Sequence, residues 1–186
     1  MRQNASLIAE REFDQVDEGF SARLAQATAT LALAALGAAP QCAGFRITLS
    51  GNLGAGKTTW VREFLRACGI RGRVKSPSFS VVETYEHEGL VFHHLDFYRQ
   101  ANPAAWQGGG LRDLLTERAI VLIEWPENAQ GLPPAHIELS LTWNHEADAA
   151  SPRKINFRFY DRGDGVKVQP QLAQWDQWVQ KTGRLP

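Results

Sequence analysis

The chain has 186 residues, which suits one domain and suffices for a buried core. An apolar fraction of 44% and six tryptophans exclude a disordered chain. Lys plus Arg and Asp plus Glu both number 20, so the basic excess of a stand-alone nucleic-acid binder is absent, and small molecules and protein partners become the better expectation.

Ser6 to Phe13 reads as a short first strand. Phe20, Leu24, Thr28, Leu31 and Ala35 then recur at helical spacing, with Gly37 and Pro40 as the stop. The Ala-rich stretch from Ala22 to Ala39 follows six acidic or basic residues and contains Arg23 and Gln26, which suits neither a signal peptide nor a spanning helix. Cys42 and Cys68 form no metal-ligand or disulfide pattern and read as buried thiols of a reducing compartment. A cytoplasmic protein without a membrane partner is expected.

Gly44 to Ser50 reads as a buried strand, followed by a glycine-rich loop and a helix. In that helix Trp60, Val61, Phe64, Leu65 and Cys68 share one face, and Gly69 ends it. Phe79 to Tyr85 and Leu90 to Asp96 flank a Glu88-Gly89 turn and predict a hairpin. The polar, glycine-rich segment Asn102 to Gly110 reads as the mobile region, Leu111 to Arg118 as a short helix, and Ala119 to Ile123 as a central strand. Alternation at Ile137, Leu139, Leu141 and Trp143, and again at Ile155, Phe157 and Phe159, predicts antiparallel strands with one wet face. Leu172, Trp175, Trp178 and Val179 suit a final amphipathic helix. The whole predicts a single α/β domain over 1–186: a P-loop NTPase-like mixed sheet flanked by helices, with antiparallel strands toward the C-terminus.

Gly51-Asn52-Leu53-Gly54-Ala55-Gly56-Lys57-Thr58 satisfies G-x-x-x-x-G-K-[ST] in the strand–loop–helix context the motif requires. Its glycines let successive backbone N–H groups turn toward phosphate oxygens, and the helix start adds its positive dipole end. Lys57 is expected to reach the β- and γ-phosphates and Thr58 to place its hydroxyl on Mg²⁺. The acidic partner such a site needs can be Asp96 or Glu124, each ending an apolar strand. Glu124, on the more apolar strand, is assigned to the metal and Asp96 to the attacking water, although the roles are interchangeable at this point. Ser76 and Ser78, flanking Pro77, can approach the γ-phosphate. His93 and His94 alternate faces without partners at ligand spacing and read as structural. Trp125 can wall the nucleotide site or fill core.

Gly51 to Thr59, Ser76-Pro77-Ser78-Phe79, His94-Leu95-Asp96-Phe97-Tyr98-Arg99 and Ile123-Glu124-Trp125-Pro126-Glu127 occur in the order and spacing of the TsaE (YjeE) family. The resemblance covers about Phe20 to Trp143 and weakens beyond Ala147. It implies an ATPase acting with the TsaD and TsaB proteins in forming threonylcarbamoyl-adenosine in tRNA, with tRNA engaged only through the complex. It implies ATP and Mg²⁺ as ligands, Lys57, Asp96 and Trp125 as catalytic positions, and Thr58 and Glu124 as metal positions. Gly51, Asn52, Leu53, Gly54, Ala55, Gly56, Lys57, Thr58, Thr59 and Ser78 are then the nucleotide contacts. Two positions depart from the family pattern, which usually has an acidic residue at Asn52 and threonine at Ser78.

Two other functions fit the loop. A small-molecule kinase needs an acceptor pocket and an arginine-bearing lid, for which Arg99, Arg112 and Arg118 are available without clustering. A nucleotide-gated binding module with negligible turnover uses the same loop. A GTPase is disfavoured, because N-K-x-D and D-x-x-G are absent.

Overall fold

The computed structural model describes residues 5–42, 44–77, 80–108, 110–143 and 153–182. In chain order the elements are β1 (Ser6–Val16), α1 (Glu18–Gly37), β2 (Gly44–Gly51), α2 (Lys57–Ala67), β3 (Val82–His87), β4 (Leu90–Asp96), α3 (Leu111–Leu114), β5 (Ala119–Glu124), β6 (Ile137–Thr142), β7 (Arg153–Asp161) and α4 (Gln169–Thr182). Single 3-10 turns lie at Ala105–Gln107 and Pro126–Asn128. Among the described residues the strands form one sheet in the order β1-β7-β6-β2-β5-β4-β3. Its four central strands are parallel, and antiparallel pairs close both sides.

This is the mixed sheet expected from the sequence, and burial explains which strands became central. All six residues of β5 are buried, as are five consecutive residues of β2, so both need neighbours on each edge and layers on each face. One core cluster lies beneath α1, α2 and α4 and includes Leu24, Leu31, Trp60, Phe64, Ile120, Leu122, Phe157 and Trp175. The other face of β4 and β5 packs Leu95, Val121 and Ile123 against Trp106, Leu115 and Ala129.

Several boundaries differ from expectation. The first strand continues to Val16, because β7 pairs with it along that length. The strand expected from Phe79 begins at Val82, and Phe79 lies outside the described residues. The helix expected to reach Arg118 stops at Leu114. Arg118 instead donates to the carbonyls of Leu36 (2.9 Å) and Ala39 (2.8 Å), satisfying the end of α1. Within Asn102 to Gly110, Trp106 is buried and its indole donates to Gln130 O at 2.9 Å, which anchors the middle of that segment.

At the end of the sheet away from the glycine-rich loop, His136 joins three strands. Its Nδ1 accepts the Arg46 backbone N–H at 3.0 Å, its Nε2 lies 3.2 Å from Asp164, and Phe45 stacks on the ring at 4.7 Å. Burial pushes the imidazole below its ordinary value against the opposing pull of Asp164. The folded chain therefore keeps His136 neutral where the unfolded chain, titrating near ~6.5, takes up a proton. Stability contributed by this group is complete above about pH 6.5 and is lost as pH falls below it, by up to about 1.4 kcal/mol per unit. Urea unfolding from pH 7.5 to 5 should show that loss in the wild type and a flatter profile in His136→Phe.

Candidate nucleotide site

The glycine-rich loop leaves the C-terminal end of β2 and returns as α2. Gly51 begins the turn at φ 132°, and a Cβ there would stand 1.9 Å from the Leu141 carbonyl oxygen, so only glycine fits against β6. Gly56 caps α2 in the left-handed region at φ 97°. Ala55 and Lys57 are turned inward and buried, while Leu53 is 61% exposed at the rim.

A cleft of ≈ 350 Å³ lies over this loop. Of the residues singled out in the sequence, Leu53, Gly54, Ala55, Gly56, Lys57, Thr58, Thr59, Asp96, Glu124 and Trp125 line it. Gly51 and Asn52 contribute differently: their carbonyls accept the Lys57 ammonium at 2.6 and 2.9 Å. Ser78 lies outside the described residues. Of the three arginines considered for a kinase lid, Arg99 lines the cleft, Arg118 caps α1, and Arg112 borders a separate depression beside Trp106.

The carboxylates meet because β4 and β5 are parallel neighbours with Asp96 opposite Glu124. Glu124 is 2% exposed, and its Oε2 accepts the Thr58 hydroxyl at 3.0 Å. Asp96, 4% exposed, accepts the Ser76 hydroxyl at 2.6 Å on Oδ2 and the Tyr98 backbone N–H at 2.9 Å on Oδ1. Lys57 Nζ lies 3.7 Å from the centroid of the Trp125 ring, which packs in turn on Tyr98 at 4.9 Å. Burial pushes the Lys57 ammonium below its ordinary value, while Glu124, Glu127 and Asp96 pull it back. Trp125 takes a left-handed backbone (φ 57°, ψ 51°) that a bulky residue adopts only when its surroundings enforce it; its N–H is held by Leu49 O at 3.1 Å.

His94, read from the sequence as structural, also reaches this site. It is fully buried and its Nε2 contacts Glu124 Oε1 at 2.8 Å. Period-two alternation already places His94 on the same strand face as Asp96, two residues on, and that signal could have found it. His93, on the opposite face, bonds Thr84 and Glu117 and is structural as expected.

The oxygens of Thr58, Glu124 and Asp96 are hard donors of the kind Mg²⁺ takes. Among the described residues no three His, Cys, Asp or Glu side chains form a cage of their own.

Comparison with known proteins places the chain in a family. The family model for threonylcarbamoyl adenosine biosynthesis protein TsaE matches residues 20–155. The protein of that name from Haemophilus influenzae is 42% identical over 102 residues, covering 54% of this chain and 65% of the relative. The Bacillus subtilis relative is 36% identical over 96 residues, covering 52% and 60%. The matched regions thus span less than two thirds of these relatives. The crystal structure of Bacillus subtilis YdiB shares the fold, with a TM-score of 0.64 at 22% identity over 94% of this chain and 98% of that one. No helix among the described residues is long and apolar enough to cross a membrane. By the family match across residues 20–155, joined to the glycine-rich loop and its two facing carboxylates, the chain belongs to the TsaE family.

Proposed function

We propose that the chain binds and hydrolyses Mg²⁺-ATP in support of threonylcarbamoyl-adenosine formation in tRNA, together with TsaD and TsaB. The observation that carries this reading is the Thr58–Glu124 hydrogen bond. It couples the loop hydroxyl suited to a nucleotide-bound metal to a strand-end carboxylate.

Thr58 and Glu124 would hold Mg²⁺, Thr58 by its oxygen and Glu124 through water. The ion's contribution is to neutralise charge on the β- and γ-phosphate oxygens. Lys57 supplies the protein's own cation to those oxygens, exchanging the Gly51 and Asn52 carbonyls for phosphate. Trp125 covers the ammonium and keeps water from its flank. Asp96 does not touch Thr58; it faces the same cleft and is suited to orient a water or take its proton. Both of its oxygens already accept hydrogen bonds, from Ser76 and Tyr98, which supports slow turnover in the isolated chain. Hydrolysis is favoured over phosphoryl transfer to a small molecule because only Arg99 of the three available arginines reaches the cleft.

Replacing Lys57 by Ala should weaken ATP binding at least roughly tenfold, the equivalent of losing a charge-assisted contact of about 1.5–3 kcal/mol. Calorimetry on a folded variant checks this, and unchanged affinity would remove the loop from the mechanism. The carboxylates should separate by function. Glu124→Ala should raise the Mg²⁺ concentration needed for half-maximal turnover, whereas Asp96→Asn should bind Mg²⁺-ATP nearly normally and turn over roughly 10²–10⁴-fold more slowly. The opposite pattern would exchange their roles. ATPase rate and yield of modified tRNA, measured with and without TsaD and TsaB, test the whole reading. The expected outcome is slow hydrolysis alone and acceleration by the partners. Fast hydrolysis that the partners leave unchanged, with no effect on tRNA modification, would refute the assembly.

A further inference from the structure

We infer that His94 is a positioning residue that fixes the Glu124 carboxylate for the metal, an inference that rests on the Mg²⁺-nucleotide reading of the cleft. His94 and Glu124 both project toward the α2 side of neighbouring parallel strands, and the register sets Leu122 beside His94 and Glu124 beside Asp96. His94 is fully buried, and its single side-chain hydrogen bond among the described residues is the 2.8 Å contact with Glu124 Oε1. In that bond the imidazole donates from Nε2 and the carboxylate oxygen accepts.

The remaining nitrogen carries the argument. The ring's other nitrogen, Nδ1, is buried and has no partner among the described residues. The other two buried histidines among the described residues differ. His93 is bonded at both nitrogens, to Thr84 and Glu117, and His136 at both, to the Arg46 N–H and Asp164. A buried polar atom left unpaired is a net cost that an apolar side chain at position 94 would avoid. The return for that cost is the Glu124 bond. Glu124 is thereby held at both oxygens, by His94 on Oε1 and Thr58 on Oε2, and its carboxylate plane cannot turn about the terminal torsion. Partners of this kind orient metal-binding groups, and their removal typically weakens metal affinity ~10–100-fold.

The test separates metal from nucleotide. ATP affinity is measured calorimetrically in EDTA, and Mn²⁺ affinity of the ATP complex by electron paramagnetic resonance. His94→Phe fills the space without a donor, and His94→Gln places an amide N–H near the position of Nε2. His94→Phe should leave metal-free ATP affinity unchanged and weaken Mn²⁺ about tenfold or more, and His94→Gln should recover most of that loss. If His94→Phe does not fold, His94→Asn, whose amide falls short of Glu124, takes its place. Wild-type Mn²⁺ affinity in the donor-less variant overturns the positioning role, as does an equal loss of metal-free ATP binding. Failure of the wild type itself to bind Mn²⁺-ATP would instead bring down the reading of the cleft, and this inference with it.

Discussion

The hydrogen bond from Thr58 to Glu124 ties the first turn of α2 to the end of β5, and the arrangement of the cleft depends on it. It can form only if β2 and β5 are adjacent and parallel, so that the loop leaving one strand passes over the end of the other. The same adjacency lets Trp125 donate its backbone N–H to Leu49 O, which holds the tryptophan's left-handed turn against the end of β2. On the far side of β5, β4 runs parallel in a register that brings Asp96 level with Glu124. Three strand ends and one helix start therefore converge on a single opening, the crevice beyond the carboxyl ends of strands that open α/β sheets use for ligands.

Lys57, Asp96 and Glu124 are at most 4% exposed. Withdrawing three charges from water is unfavourable unless each is paired or hydrogen-bonded. Lys57 has two carbonyls and an indole face, Asp96 a hydroxyl and an amide, and Glu124 a hydroxyl and an imidazole. These partners also set orientation, so the groups that make burial tolerable make the site directional. The left-handed backbone of Trp125 belongs to the same economy: local strain is tolerated because the turn aims the indole at Lys57.

The fold and most of the site could be read from the chain because their signals are local. The loop motif, the runs ending in Asp96 and Glu124, and the amphipathic face of Trp60, Phe64 and Leu65 each declare themselves within a dozen residues. What escaped depends on contacts distant in sequence. Alternation sets His94 on the face of Asp96, but its contact with Glu124, 30 residues away, shows only once β4 and β5 are set side by side. Arg118 was weighed as a phosphate-lid residue, but it caps a helix 82 residues earlier in the chain. The extension of β1 to Val16 likewise depends on β7, which no local pattern around Asp14 reveals.

The C-terminal part, silent about function when read as sequence, has a structural reason to exist. β6 supports the glycine-rich loop from the side, its Leu141 carbonyl lying against Gly51. On its own β6 would be an edge strand with a row of unpaired backbone groups. β7 covers that edge from Ile137 to Thr142 and is covered in turn by β1. α4 then fixes β7 to the helical layer: the Trp175 ring lies 5.3 Å from both Phe157 and Phe159, and its indole donates to Thr28 of α1 at 3.2 Å. Exposed pairs such as Glu10–Arg158 and Glu12–Lys154 add little individually at a solvated surface, so apolar contact and backbone pairing carry this union. The tail therefore acts on the cleft through β6: it keeps in place the strand that leaves room for glycine alone at the start of the glycine-rich loop.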